Sequence, residues 1–309
     1  MRQARARYTI VGLGELLWDI LPGRRELGGA PTNFAYVCGL LGDVAVVASR
    51  VGTDELGRDA IGRLEQTGLT AEFLQVDDEH PTGTVLVKID EGGQPSYTSR
   101  QDVAWDYLEW IGQWEELAGR ADAVCFGTLA QRAAQSRSTI KKFLQAMRRD
   151  SLRLFDVNLR HSLLSAELLA ESLELSTAVK LNDEEVPRVS EMLALGVSEE
   201  QAFAKRLMRD FNLRLVVITR GARGSLILSE DEIAEHSGFK VAVVDTIGAG
   251  DAFGAALVHY FLRRAPLAQI SDRANRLGAW VATQAGATPA IKEGTLQQTI
   301  ESIESESFS

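Results

Sequence analysis

Residues 241–260, VAVVDTIGAGDAFGAALVHY, set one carboxylate, Asp251, directly behind Gly248, Ala249 and Gly250 at the head of a long apolar run. Residues 252–262 are apolar almost all round, which predicts a helix buried in a core. Residues 241–244 predict a short buried strand leading into it. The intervening loop carries no side chain larger than a methyl group, so the N–H groups at the helix start stay accessible. The helix dipole places about half a positive charge there, and the two together make a cradle for a phosphate. Asp251 has two readings. It is a capping carboxylate stabilised by the helix terminus, or it is a base with a pKa near 4 that accepts a proton from a hydroxyl. Phosphoryl transfer to an alcohol requires such donors beside an ionised carboxylate. On these residues alone both readings stand.

Chemistry of this kind needs a scaffold that brings loop ends together. Ile10 and Val11 begin a strand within residues 8–21, where Gly12 and Gly14 call for tight turns. Residues 31–41 predict a helix with proline at its first position. DVAVVASRVG reads as a strand and DELGRDAIGRLEQTG as a helix, with Leu56, Ile61 and Leu64 on one side. TGTVLVKIDEGGQPSYTSRQD differs, because two extended runs around Gly92 and Gly93 predict a hairpin in a small projecting sheet. From residue 121 onward, strands (ADAVCFG, LRLFDVN, TAVKLN, LRLVVITRG, GSLILSE, KVAVVDT) are interspersed with helices, the last around residues 273–285. That alternation predicts an α/β domain over residues 1–309: a mostly parallel sheet flanked by helices on both faces, with ligands at the strands' carboxyl ends. The tail ESIESESFS reads as a frayed end.

Composition narrows the class of function. Hydrophobic residues at 45% and charged residues at 25% exclude a fibrous or largely disordered chain. A net charge of −10 without a basic cluster argues against nucleic acid as a partner. Cys38 and Cys125 lie in apolar segments without metal or redox spacing, which suits a reducing compartment. Gly12, Gly14, Glu15 and Asp19 interrupt the N-terminal apolar stretch too early for a signal peptide, and no segment approaches the ~18 apolar residues of a bilayer span. A cytoplasmic location is expected. The scattered histidines His80, His161, His236 and His259 argue against a zinc hydrolase. IVGLGELL has Leu17 where a dinucleotide fingerprint needs its third glycine, and no Walker lysine motif occurs.

DTIGAGDAFGAAL resembles the signature of the ribokinase-like sugar kinases, the PfkB carbohydrate kinase family, whose pattern is Asp-Thr-x-Gly-Ala-Gly-Asp-x-Phe. The resemblance implies a ribokinase-like fold, Asp251 as the catalytic base, and Gly248, Ala249 and Gly250 as the anion hole. It also implies that residues 14–28 and 82–105 form a lid over the sugar, a surface through which relatives often form homodimers. LGGAPTNFA and RVGTDELG are similar to the family's N-terminal motifs. Asp19, Gly29 and Asn33 would then contact the sugar, against the alternatives of a solvated turn at Asp19 and a capping or buried amide at Asn33. KLNDEEV matches an Asn-x-x-Glu motif near magnesium and the triphosphate, with Asn182 at the nucleotide and Glu185 acting through water; alone, such an acidic run reads as a solvated helix start.

VVITRGARGSLI resembles the nucleotide-binding turn, with Thr219 and Gly221 by the phosphates and Gly224 permitting close backbone approach. Asn275 matches a position near the adenine in many members, or else lies on an exposed helix face. Asp245, the Ile247 carbonyl and the loop AGATPA would hold a monovalent cation such as potassium. FDVNLRHSL resembles Asp-Pro-Asn-x-Arg with Val157 in place of proline, so Arg160 would meet phosphate or an acidic sugar, or else form a surface ion pair. QDVAWD fits nothing in this scheme.

The implied activity is transfer of the γ-phosphate of ATP to a sugar hydroxyl, with Mg2+ and also K+ as cofactors. GGAPTN, lacking the lysine of the ribokinase version, leans toward fructose as the acceptor. A 2-keto-3-deoxygluconate kinase, a ribokinase and a nucleoside kinase are the alternatives. A sugar sensor that keeps the fold without catalysis is the reading from a different class.

Overall fold

Successive residues of a strand face opposite ways, and the apolar strands of this chain supply a core on each face of one sheet. The computed structural model describes residues 7–89, 95–159, 165–291 and 296. The N-terminal part runs β1 (Thr9–Leu13), β2 (Leu17–Leu21), β3 (Arg24–Gly28), α1 (Ala30–Leu40), β4 (Val44–Gly52), α2 (Glu55–Gln66), β5 (Leu74–Asp77), β6 (Gly83–Ile89) and β7 (Pro95–Ser99). It continues through α3 (Gly112–Arg120), β8 (Ala123–Gly127), α4 (Ala134–Ala146), β9 (Leu152–Asp156), α5 (Ala166–Glu174) and β10 (Ala178–Asn182). The remainder is α6 (Glu185–Met192), α7 (Glu200–Phe211), β11 (Leu215–Thr219), β12 (Ser225–Ser229), β13 (Ile233–His236), α8 (Ala249–Leu262) and α9 (Leu267–Ala282).

The large sheet has the order β13-β12-β11-β10-β9-β8-β1-β4-β5. Its strands are parallel from β5 to β11, and β12 and β13 close one edge antiparallel. Ile10, Cys125 and Leu154 pack on one face with α1, α8 and α9. Their chain neighbours Val11, Val124 and Phe155 pack on the other with α3 to α7. A fully covered parallel sheet of this kind is the α/β architecture expected from the sequence.

Residues 8–21 divide between the two sheets, β1 in the large one and β2 in a separate four-stranded sheet of order β3-β2-β6-β7. The small sheet therefore draws on both segments assigned to a lid. Its base is tied to the body at two places. Asp54, the N-cap of α2, accepts hydrogen bonds from Gly57 N, Thr82 N and Thr82 Oγ1, where the chain enters β6. Burial works against the Asp54 carboxylate, but these bonds hold its pKa below the ordinary value. Where the chain leaves β7, Arg132 donates to both oxygens of Asp106 at 2.7 and 2.8 Å, to Ser99 Oγ and to the Arg100 carbonyl. The same guanidinium lies 3.9 Å from the ring centroid of Trp105, which is fully buried. QDVAWD, unassigned from sequence, is thus the anchor at the exit from the small sheet.

Two expectations need correction. Residues 241–244 do not form a buried strand: Val243 and Val244 are 58% and 65% exposed, and the Val244 N–H bonds to the Ala282 carbonyl at the end of α9. A four-residue apolar run carries no information about whether a neighbouring strand edge is open to it. The last helix begins six residues earlier than expected, at Leu267 behind Pro266, and ends at Ala282.

Candidate active site

The start of α8 meets the first turn of α1, the loop that follows α9 and Lys180 on β10. Gly248 caps this helix with φ 78°, a left-handed conformation that glycine adopts at little cost. A Cβ at Gly248 would stand 2.6 Å from the Ala287 methyl, so the turn also needs glycine for space. Gly250 is exposed at the mouth, and Asp251 is half buried beside it. The first turn of α1 arrives from the other side. Its cap Gly29 has φ 107°, and a Cβ there would meet the Glu15 carbonyl at 2.4 Å. Asn33 on that turn donates from Nδ2 to Asp251 Oδ2 at 2.8 Å. Asn33 is 4% exposed, yet among the described residues its Oδ1 has no hydrogen-bond partner. A buried acceptor left in this way is costly unless water or a ligand satisfies it. Asp19 on β2 lies against Gly28, where a Cβ would approach its Oδ2 to 2.4 Å.

Asn182 and Glu185 form a reciprocal cap rather than a solvated helix start. Glu185 N donates to Asn182 Oδ1, Asn182 N donates to Glu185 Oε2 at 2.7 Å, and Leu159 N donates to Oε1 at 2.6 Å. Glu185 is 6% exposed, and burial pushes its pKa up further than the two N–H groups pull it down. Thr219 ends β11 directly opposite Asn182 in register, and the tight turn Gly221–Arg223 follows. Gly224 does permit close backbone approach, but the approach is to the His236 carbonyl, 1.9 Å from where a Cβ would stand. Asp245 accepts from Ile247 N and Gly286 N, tying the turn before α8 to the loop that follows α9. Asn275 is not on an exposed face: it is buried, and its Nδ2 donates to Ser225 Oγ and the Ser271 carbonyl. Arg160 lies outside the described residues.

One pair in this region was not singled out from sequence. Lys180 on β10 faces Asp156 on β9 in parallel register, and its Nζ donates to both carboxylate oxygens at 2.9 and 2.8 Å. Both residues stand inside motifs read for other positions, FDVNLRHSL and KLNDEEV. The available signal was a lysine within an otherwise apolar strand.

Two helix starts, an exposed turn, a carboxylate and an unsatisfied amide oxygen can together receive a hydroxylated ligand and an anion. The sequence profile of the pfkB family carbohydrate kinases matches residues 22–293 of this chain. The chain belongs to that family. This carbohydrate kinase is 32% identical over 262 residues to a fructokinase of Salmonella typhimurium, an alignment covering 80% of this chain and 82% of the other. Its fold superposes with a TM-score of 0.81 on a sugar kinase of Pyrococcus horikoshii solved in complex with ATP, 27% identical, covering 96% and 99% of the two chains. A fructokinase double mutant of Vibrio cholerae O395, solved with fructose, ADP and a potassium ion, shares the fold at a TM-score of 0.81 and 24% identity, covering 98% and 99%. The chain is thus a carbohydrate kinase of ribokinase-like architecture. Among the described residues, no helix is long and apolar enough to cross a membrane.

Proposed function

We propose that this kinase transfers the γ-phosphate of ATP to the primary hydroxyl of fructose, giving fructose 6-phosphate, with Asp251 as the base. The observation that carries the reading is the Asn33–Asp251 hydrogen bond beside the unsatisfied Asn33 Oδ1, because it places an acceptor for a sugar hydroxyl next to the carboxylate. Asp19 and the Gly29 turn line the same side, and the small sheet closes over the sugar to exclude water. Asp251 takes the proton from the attacking hydroxyl. The N–H groups of the 248–250 turn stabilise the equatorial oxygens of the transferring group. The ends of β10 and β11, with Asn182, Thr219 and Gly221, receive the nucleotide phosphates.

Among the described residues no three His, Cys, Asp or Glu side chains could cage a metal, and both Glu185 oxygens already accept backbone N–H groups. This donor set fits magnesium that is carried by the triphosphate and reached by Glu185 through water. Bound there, magnesium would supply positive charge that offsets the charge of the triphosphate. Asp245, the Ile247 carbonyl and the loop around Gly286 would hold potassium, in keeping with the ion of the Vibrio cholerae fructokinase. We place the enzyme in the cytoplasm on the strength of two buried free cysteines, and as a homodimer through the small sheet, where Leu86 is exposed.

ADP release measured on fructose, ribose, 2-keto-3-deoxygluconate and nucleosides tests the acceptor, with fructose expected to give the largest kcat/KM. Asp251→Asn should lower kcat by at least ~10²-fold, as expected for loss of a general base, with sugar affinity kept. Wild-type kcat in that variant overturns the role of Asp251. Sugar binding without ADP release in the wild type would identify a sensor instead.

A further inference from the structure

Lys180 is 6% exposed, in the middle of a parallel sheet, and its side chain lies beneath the start of α8. A Cβ on Gly250 would stand 3.4 Å from its Nζ, and one on Gly254 would stand 3.8 Å from its Cδ. Glycines four apart share a helix face, so this face of α8 is bare where it rides over the lysine. The position is expensive for a cation. It is out of water, and it lies under the positive end of a helix dipole. For packing alone, an apolar residue of similar volume would serve as well.

What offsets the cost is the gathering of carboxylates around it. Asp156 holds the ammonium directly, and the charges of Asp251 and Glu185 act on it as well. Burial pulls the Lys180 pKa down, yet the Asp156 charge and hydrogen bonds, with Asp251 and Glu185 behind them, raise it overall. The group therefore remains a cation across the neutral range. Among the described residues, the groups acting on Asp251 include the Asn33 amide from α1, the Lys180 ammonium from β10 and the Cys125 thiol from β8. Asp156 on β9 and Glu185 on α6 stand behind Lys180. The thiol is pushed well up by burial and stays neutral. Of these groups, Lys180 brings the positive charge.

We propose that Lys180 is a positioning residue for phosphoryl transfer: clamped by Asp156 under the first turn of α8, its ammonium is the counter-charge that keeps Asp251 a carboxylate when a triphosphate occupies the same mouth. The proposal rests on the reading of Asp251 as the base. It differs from a purely structural ion pair in making a signed prediction. Removing the cation raises the pKa of Asp251, removing Asp156 leaves the cation unopposed and lowers it, and removing both restores it.

The test is the acid limb of kcat/KM, which reports the base in the free enzyme. It is measured by ADP release in the wild type, Lys180→Met, Asp156→Asn and the double variant, with thermal melts confirming folding. Lys180→Met should move the limb up by about one pH unit, a roughly tenfold loss on the limb relative to the plateau. Asp156→Asn should move it down, and the double variant should return it close to wild type. Should Lys180→Met fail to fold, the comparison of Asp156→Asn with the double variant decides, and the limb must lie lower in Asp156→Asn. Coincident limbs in all folded variants, or shifts of one sign in both single variants, overturn the proposal. Asp251→Asn separates the two claims: if it remains active, the limb belongs to another group and the base assignment falls, whatever the Lys180 result.

Discussion

Gly248 concentrates two constraints on one atom position, and Gly248→Ala tests how closely the anion-binding turn depends on the loop after α9. The residue has φ 78°, where a Cβ costs about 1–2 kcal/mol. That Cβ would also stand 2.6 Å from the Ala287 methyl and 2.7 Å from the Ala287 Cα. Separations this short require main-chain movement, since neither atom belongs to a flexible side chain. Overpacking of this kind costs about 1–3 kcal/mol. The sum is ~2–5 kcal/mol, or roughly 5–15 °C in Tm at the few degrees per kcal/mol typical of domains above 150 residues. Relief comes from pushing residues 285–288 and the start of α8 apart. A misplacement of about 1 Å at the reacting groups costs on the order of 10²-fold in rate. Thermal melts and ADP release on the same preparation measure both effects. Gly62→Ala is the control, because Gly62 lies within α2 with nothing near its missing Cβ, and alanine there should stabilise by about 0.5–1 kcal/mol. If Gly248→Ala melts and turns over like the wild type, the turn does not lean on Ala287 and the steric account is wrong.

Two other sites give predictions of different kinds. Arg132→Met leaves Asp106, itself nearly buried, without its bidentate partner. Loss of about 3–5 kcal/mol is expected in denaturant unfolding, with KM for the sugar rising more than KM for ATP because the anchor serves the small sheet; equal KM changes would disconnect the anchor from sugar binding. At the far end of α8, Asp43 is fully buried and accepts from His259 at 2.7 Å and Arg263 at 2.7 Å. Burial pushes the Asp43 carboxyl up, but the hydrogen bonds and charges of His259 and Arg263 bring it below its ordinary value. A depressed carboxyl stabilises the fold above its unfolded pKa near 4 and loses that contribution as pH falls through the lower folded value. Asp43→Asn should therefore be less stable than wild type at pH 7, with the gap narrowing below pH ~4. A gap independent of pH would refute the ion-pair account.

The parts of this enzyme that sequence made legible are those in which neighbours along the chain are neighbours in space. The GAGD turn with its helix and the strand–helix alternation each form within a few residues, so composition and spacing carry them, whereas the run at Asn182 and Glu185 read alone as a solvated helix start and proved to be a buried reciprocal cap. Contacts between distant segments followed another rule. Gly224 was read as permitting close backbone approach, but only the fold identifies the approaching group as the His236 carbonyl, brought there by antiparallel pairing of β12 with β13. Residues 241–244 have strand composition, but β13 lies at one end of the sheet order and the main chain of Val244 turns to α9 instead. Arg132 joins Asp106, and only the fold makes that pair a clamp on the exit from the small sheet.

Lys180 shows why register matters most at the active site. Periodicity can say which face of β10 a residue takes, but no spacing says that Lys180 stands opposite Asp156, 24 residues away, and beneath Gly250, 70 residues on. The register of β9 with β10 sets the first neighbour, and the glycine face of α8 sets the second. A charge whose two partners are both set by the assembled sheet can act on Asp251 only once the whole domain has folded. Substitutions that slip or loosen β10 should consequently shift the titration of the base before they disturb the GAGD turn itself.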